Sequence, residues 1–296
     1  MSVCCFARNI TFPQLNDYVM SLPFDVRWVE SYNPVYCSVD AHVKEVVFVQ
    51  MAPDINLLFQ LLDRKIKVWI LNTEQLSRLT HKTEEKTDAV AFHFEEWLLC
   101  YIRPQRRVSI MDYSAANIQI WKKLFPDLEC KLVPYIPLPL FGVQLNPSPD
   151  LSSQPVAFVG DTNSSYRQEI LESLGDKVKV ISSTFGARRD HMLSQAQILL
   201  NIHFGPSYTI FEELRCLPCV LRKMIVVSER SQFPKDHPLY PFIIFVPYQR
   251  LAQAVQGAIT HYDALFAKLY TNNPKYNSLM EDIKTYAQIT NAKLEV

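Results

Sequence analysis

Between residues 196 and 229 the chain gathers side chains that can bind phosphate and hydroxyl groups. His203 closes the apolar run Ala196-Gln-Ile-Leu-Leu-Asn-Ile-His203, and an imidazole there can donate to a phosphate or to a hydroxyl. Glu212 and Arg215 stand at i and i+3, so they can pair on one helix face, whereas the adjacent Glu213 faces elsewhere. Ser228 and Glu229 close a second apolar run, Lys223-Met-Ile-Val-Val-Ser-Glu, and a carboxylate there can accept from vicinal hydroxyls. Tyr208 lies between the two runs. Upstream, Gly160 follows an apolar run and precedes Asp-Thr-Asn-Ser-Ser, with Arg167 a little beyond. That is neither the dinucleotide fingerprint nor a Walker loop, but a helix N-terminus behind such a glycine can hold a pyrophosphate through its free N–H groups. Ser183-Thr-Phe185-Gly186 is a similar turn, whose backbone can approach a planar base closely.

These residues need elements that present them on one edge. The runs ending at His203 and at Glu229 read as buried strands, and the residues from Tyr208 to Leu221 between them as a helix with one apolar face. Strand–helix–strand crossovers build parallel sheets, whose ligands bind beyond the carboxyl ends of the strands. The same grammar gives strands at 45–50, 66–71, 107–111, 131–136, 154–160, 178–181 and 242–246, with an edge strand near 25–30. Helices are expected from Pro53 to Leu62, from Ala115 to Leu124 with Ser114 as N-cap, from 251 to 270 and from 277 to 289. Residues 80–90 read as a charged loop or exposed helix, and Phe92 to Tyr101 as a short amphipathic segment. Prolines 134, 137, 139, 147, 149 and 155 mark a linker. It puts a boundary near 148 and divides the chain into α/β domains over 1–148 and 149–296, with the C-terminal helix able to pack back on the first.

Composition narrows the function classes. The 296 residues are 48% hydrophobic and 20% charged, as in a folded protein. Thirty basic and thirty acidic residues cancel, leaving no electrostatic footprint for nucleic acid. The seven cysteines are scattered, as expected of reduced thiols in a cytoplasmic compartment. No stretch is long and apolar enough for a transmembrane helix. Cys216-Leu-Pro-Cys219 lacks a second Cys/His pair, which argues against a zinc site. No Asp-x-Asp occurs, so a divalent ion held by paired carboxylates is not expected, and no cofactor is implied.

The stretch Ile-Leu-Leu-Asn-Ile-His, Ile-Phe-Glu-Glu-Leu-Arg and Lys-Met-Ile-Val-Val-Ser-Glu resembles the C-terminal half of GT-B-fold glycosyltransferases of large DNA viruses and bacterial polysaccharide loci. The resemblance implies two Rossmann-like domains facing each other across a cleft. The second would bind a nucleotide-sugar donor and the first a glycan or glycoprotein acceptor, without a metal. It assigns the ribose hydroxyls to Glu212 and is consistent with Gly160 followed by Arg167; the remaining donor-binding candidates, Phe185, Gly186, His203, Tyr208, Arg215, Ser228 and Glu229, stand at the same strand ends, turns and helix. Where retaining members carry a sugar-contacting glutamate, this chain has Phe204. An inverting enzyme needs a general base on the acceptor side, for which Glu74 and Asp112, both at strand ends, are the candidates, with His203 as a further catalytic group. The alternatives are a nucleotide-sugar epimerase of the same fold and a non-catalytic module binding nucleotide or glycan.

Overall fold

Short, largely apolar runs become parallel strands in both halves of the described chain. The computed structural model describes residues 3–9, 18–19, 21–22, 24–50, 52–77, 108–133, 135 and 154–294. It divides into two units, Met1–Tyr135 and Ile136–Val296. The charged stretch at 80–90, the segment from Phe92 to Tyr101 and the boundary near 148 lie outside the described residues.

The first unit holds a six-stranded parallel sheet. Its strands are β1 (Val3–Arg8), β2 (Asp25–Val29), β3 (Glu45–Val49), β4 (Lys67–Asn72), β5 (Val108–Asp112) and β6 (Cys130–Leu132), in the spatial order β2-β1-β3-β4-β5-β6. Helices α1 (Ile55–Asp63) and α2 (Ala115–Leu124) belong to this unit. Asp54 caps α1 by accepting from the Asn56 N–H at 2.8 Å. Ser114 holds the N-cap position of α2 as its sequence position suggests, but its hydroxyl makes no cap hydrogen bond; its backbone N–H donates to Asp112 Oδ1 at 2.9 Å.

The second unit holds five parallel strands: β7 (Val156–Val159), β8 (Val178–Ile181), β9 (Ile198–Asn201), β10 (Ile225–Glu229) and β11 (Ile243–Val246). Read from the β8 edge the order is β8-β7-β9-β10-β11. Both units thus place their second strand outside the first and their third on its other side. That arrangement opens a topological switch point, between β1 and β3 in one unit and between β7 and β9 in the other. Helices α3 (Ser165–Leu174), α4 (Gly186–Leu193), α5 (Glu213–Leu221) and α6 (Leu251–Thr260) follow β7, β8, β9 and β11. The chain closes with α7 (Tyr262–Phe266), a π-helical turn at Ala267–Thr271 and α8 (Pro274–Leu294). Phe158, Phe211 and Phe242 are fully buried, and burial of each such side chain contributes roughly 2 kcal/mol. Among the described residues no helix is long and apolar enough to cross a membrane.

Three elements differ from the sequence reading. β1, a central strand, went unread: Val-Cys-Cys-Phe-Ala-Arg is too short and too uniformly apolar to show a period. The helix expected from Tyr208 begins only at Glu213. Ile210 is bridged to Gln232, with the Phe211 N–H on Gln232 O at 3.3 Å and the Gln232 N–H on Thr209 O at 2.6 Å, so this segment is held extended. The single helix expected over 251–270 is interrupted at His261, whose N–H still bonds Gly257 O at 2.9 Å.

Candidate functional site

The switch point of the second unit is closed by one side chain. Arg167, in the first turn of α3, is buried at the carboxyl ends of β7 and β9. Its Nε donates to Ile202 O and His203 O, each at 3.2 Å, and its Nη1 to Asp161 O at 2.9 Å. The guanidinium thus fastens the loop after β7 to the loop after β9. Phe158 and Phe204 lie 5.4 and 5.2 Å from it, a cation–π environment. Burial, with Arg215 nearby, lowers its pKa to about 10, so it remains charged at neutral pH. Gly160 is needed here: its φ is +152°, and a Cβ would meet Phe158 Cζ at 3.2 Å and Arg167 Nη1 at 3.3 Å. Ser164 reinforces the junction by donating from its hydroxyl to Phe204 O.

From Arg215 a directed chain of hydrogen bonds runs inward. Arg215 Nη1 donates to Asn201 Oδ1 at 3.1 Å, Asn201 Nδ2 to Ser228 Oγ at 3.0 Å, and Ser228 Oγ to Glu229 O at 2.8 Å. Asn201 and Ser228 have no exposed surface, so the Ser228 hydroxyl serves the interior. Glu212 is the N-cap of α5, with Oε2 3.7 Å from Arg215 Nη2, and both side chains keep about a fifth of their surface open. Glu213, the first residue of α5, is buried.

Glu229 is buried too. Its Oε1 accepts from Tyr166 at 2.5 Å and its Oε2 from the His203 N–H at 3.3 Å. Burial raises its pKa against those two hydrogen bonds. Tyr166 stacks on Tyr248 with ring centroids 3.9 Å apart, and Tyr248 donates to Tyr166 O at 2.7 Å. His203 is almost completely buried. Its pKa is lowered to about 4, first by burial, with Arg215 and Arg167 in the same sense and Glu212 opposing. Arg167, His203, Glu212 and Arg215 are therefore close enough to feel one another's charge. Tyr208 joins the same group through Phe204: its ring meets the Phe204 ring edge-on at 5.7 Å, and Phe204 lies beside the Arg167 guanidinium.

The turn after β8 presents a different surface. Ser183 and Gly186 have φ of +49° and +59°, and Phe185, the residue before α4, is 39% exposed. It is one of few large apolar side chains so open, and it follows a carboxyl strand end.

In the first unit Asp112 and Glu74 part company. Asp112 has no exposed surface. Its Oδ1 accepts from the Ser114 N–H at 2.9 Å and Asn117 Nδ2 at 3.0 Å, its Oδ2 from Asn72 Nδ2 at 2.7 Å and Trp121 Nε1 at 2.9 Å. Burial raises its pKa to about 7 against these four bonds. Glu74 is exposed and accepts from Gln50 Nε2 at 3.0 Å. Around them Thr73 Oγ1, both amide atoms of Gln75 and Ser114 Oγ are buried without hydrogen-bond partners. Among the described residues no cluster of His, Cys, Asp or Glu could hold a metal ion.

No protein-family model matches the chain. Two uncharacterized proteins of Acanthamoeba polyphaga mimivirus are similar to it. One is 26% identical over 221 residues, covering 73% of this chain and 70% of its own length. The other is 28% identical over 201 residues, and the match spans 65% of this chain but only 59% of that relative. Among solved structures, a T4 phage β-glucosyltransferase in complex with UDP and Mn2+ superposes with a TM-score of 0.57 at 15% identity, covering 99% of this chain and 98% of that one. A sucrose-phosphate synthase from Thermosynechococcus elongatus superposes at 0.54 and 12% identity, covering 99% and 100%. The fold is GT-B. Both sheets are of the Rossmann-like parallel type that fold requires.

Several residues of this arrangement were not singled out from the sequence. Asn201 lies inside the quoted Leu-Asn-Ile-His, and only its register opposite Ser228 shows its part. Ser231 follows Glu229 by two residues, and its hydroxyl lies 2.9 Å from His203 Nε2. Tyr166 sits beside Arg167, and its link to Glu229 spans 63 residues, beyond any local pattern.

Proposed function

We propose that the chain is a glycosyltransferase that moves a sugar from a nucleotide-sugar to a glycan or other hydroxyl-bearing acceptor. The observation that carries this is the grouping of Glu212, Arg215 and His203 around the switch point that Arg167 closes. A ribose would be held by Glu212, whose carboxylate can accept from both vicinal hydroxyls. The departing diphosphate gains negative charge, which Arg215 and the N–H groups at the start of α3 would stabilise. Phe185 and the turn from Ser183 to Gly186 offer a platform for the base. Arg167, through its Nε and Nη1, and Asn201, Ser228 and Glu229 serve by positioning, since these groups are hydrogen-bonded within the fold.

On the acceptor side we assign the general base to Glu74. Its carboxylate is exposed, whereas every oxygen of Asp112 already faces two N–H donors. Thr73, Gln75 and Ser114, with buried polar atoms awaiting partners, suit a ligand rich in hydroxyls. One of the similar solved structures is a DNA-modifying β-glucosyltransferase. The cancelled charge of this chain argues for an uncharged acceptor instead. We place the reaction in a reducing, cytoplasmic compartment, in keeping with the free cysteines.

The test is a thermal-shift screen with UDP, GDP, CMP and their sugars, followed by turnover with and without added acceptors. Stabilisation by one nucleotide together with sugar transfer only when a glycan is present supports the proposal. Conversion of the nucleotide-sugar to its epimer without acceptor makes the protein an epimerase. Transfer to DNA overturns the acceptor class, and no stabilisation by any nucleotide overturns the donor site.

A further inference from the structure

Ser231 determines which nitrogen of His203 carries the proton. Its hydroxyl lies 2.7 Å from Glu229 O and 2.9 Å from His203 Nε2. A carbonyl oxygen can only accept, so the single Ser231 proton points to Glu229 O. The contact with His203 must then run the other way, from Nε2–H to Ser231 Oγ. Reversing it would leave two oxygens facing each other without a proton at 2.7 Å. Nδ1 is therefore a bare lone pair. It is buried and has no hydrogen-bond partner, a condition that costs folding free energy unless a donor is supplied.

We propose that His203 is a neutral hydrogen-bond acceptor, held in the Nε2–H tautomer by Ser231, and that the ligand group it takes through Nδ1 is a hydroxyl and not a phosphate oxygen. A phosphate oxygen would bring its lone pairs against that of Nδ1, whereas a hydroxyl brings a proton. Protonating the ring to suit a phosphate is opposed by burial and by the guanidinium groups of Arg167 and Arg215, against Glu212 alone. This rests on the donor-site reading above and deepens it: of the two parts open to His203, donor to phosphate or partner of a hydroxyl, the hydrogen bonds select the second. Ser231 is a positioning residue, acting through the ring.

The experiment is nitrogen-15 NMR of the imidazoles in the intact protein, free and with UDP or UDP-glucose as probes. The His203 signals, among seven histidines, are identified by their loss in His203→Gln or, if that variant does not fold, by their displacement in Ser231→Ala. The free protein should show Nε2 protonated and Nδ1 bare. Binding should move the Nδ1 resonance toward that of a hydrogen-bonded acceptor. Movement with UDP names a ribose hydroxyl, and movement only with UDP-glucose names a sugar hydroxyl; both support the inference. Ser231→Ala should mix the tautomers and weaken binding of the effective probe by about tenfold, and Ser231→Thr should restore both. A proton on Nδ1 in either state overturns the inference, as does calorimetric binding that leaves Nδ1 unmoved. If calorimetry finds no nucleotide bound, the donor-site reading falls and takes the hydroxyl partner with it. The tautomer of the free protein still confirms or overturns the part given to Ser231.

Discussion

Arg167 donates to the backbone carbonyl of His203 at 3.2 Å, so the guanidinium at the switch point also fixes where the imidazole sits. The same fork reaches Ile202 O and Asp161 O. A lysine keeps the charge but offers a single compact ammonium in place of a planar fork. Arg167→Lys should leave buried carbonyls unpaired and cost about 3 kcal/mol of stability. Urea unfolding measures this. An unchanged midpoint would return Arg167 to the ligand rather than to the fold.

Glu212 and Glu213 are adjacent yet differ in surroundings. Glu212 is partly open beside Arg215, and Glu213 is buried. Glu212→Gln should leave stability nearly unchanged and weaken nucleotide binding by about tenfold, or ~1.4 kcal/mol. Glu213→Gln should lower stability, with binding by the folded fraction intact. Calorimetry and urea unfolding on both variants separate the two effects. Equal nucleotide affinity of Glu212→Gln and wild type would remove the ribose from this position.

His203 gives stability a pH dependence of known sign. Its folded pKa is lowered to about 4 from an ordinary 6.5. The unfolded state therefore takes up the proton first as pH falls, and the stability present above 6.5 is lost progressively toward pH 4. The full effect is about 3 kcal/mol. Comparing urea unfolding of wild type and His203→Gln at about pH 7 and about pH 4.5 isolates it from other titrating groups. Parallel losses in the two proteins would mean that His203 does not titrate in this way.

The carboxyl strand ends were legible because each apolar run stops at a polar residue or glycine: His203, Glu229, Gly160 and Asp112 all follow this rule. What those residues do was less legible, because their partners come from elsewhere in the chain. Asp112 reads as an available carboxylate until Asn72, from a strand 40 residues earlier, and Trp121, a turn and more along α2, are brought to it. The start of α5 was misplaced for a related reason. Tyr208 to Phe211 has apolar residues at helical spacing, but the pairing of Ile210 with Gln232 draws that segment out. Local periodicity cannot register a contact made by a loop two elements later.

Metal dependence can be tested directly. Among the described residues no acidic or His/Cys cluster is suited to a divalent ion, and the diphosphate is assigned here to Arg215 and backbone N–H groups. Transfer should persist in excess EDTA, with added Mn2+ changing the rate by less than about twofold, a barrier difference of only ~0.4 kcal/mol. Loss of activity in EDTA, restored by Mn2+ or Mg2+, would require a metal held by the substrate or by residues outside those described.

Asp112 and Glu74 offer the sharpest separation of a positioning carboxylate from a reacting one. Each Asp112 oxygen accepts from two N–H donors: Oδ1 from Ser114 and Asn117, Oδ2 from Asn72 and Trp121. In Asp112→Asn either orientation of the amide sets its NH2 group against two donors, so flipping gives no relief. The variant should lose about 3 kcal/mol of stability. The turn after β4 should loosen with it, because Asn72 and Asn117 also hold Glu74 O, at 2.8 and 2.9 Å. Glu74→Gln keeps an oxygen for Gln50 and lies on the surface, so its stability should stay within about 0.5 kcal/mol of wild type. As the acceptor-side base it should nevertheless lower kcat by about a hundredfold or more with nucleotide affinity unchanged. Urea unfolding, nucleotide titration and single-turnover transfer on the two variants decide the assignment. A stable but inactive Asp112→Asn beside an active Glu74→Gln would exchange the two roles.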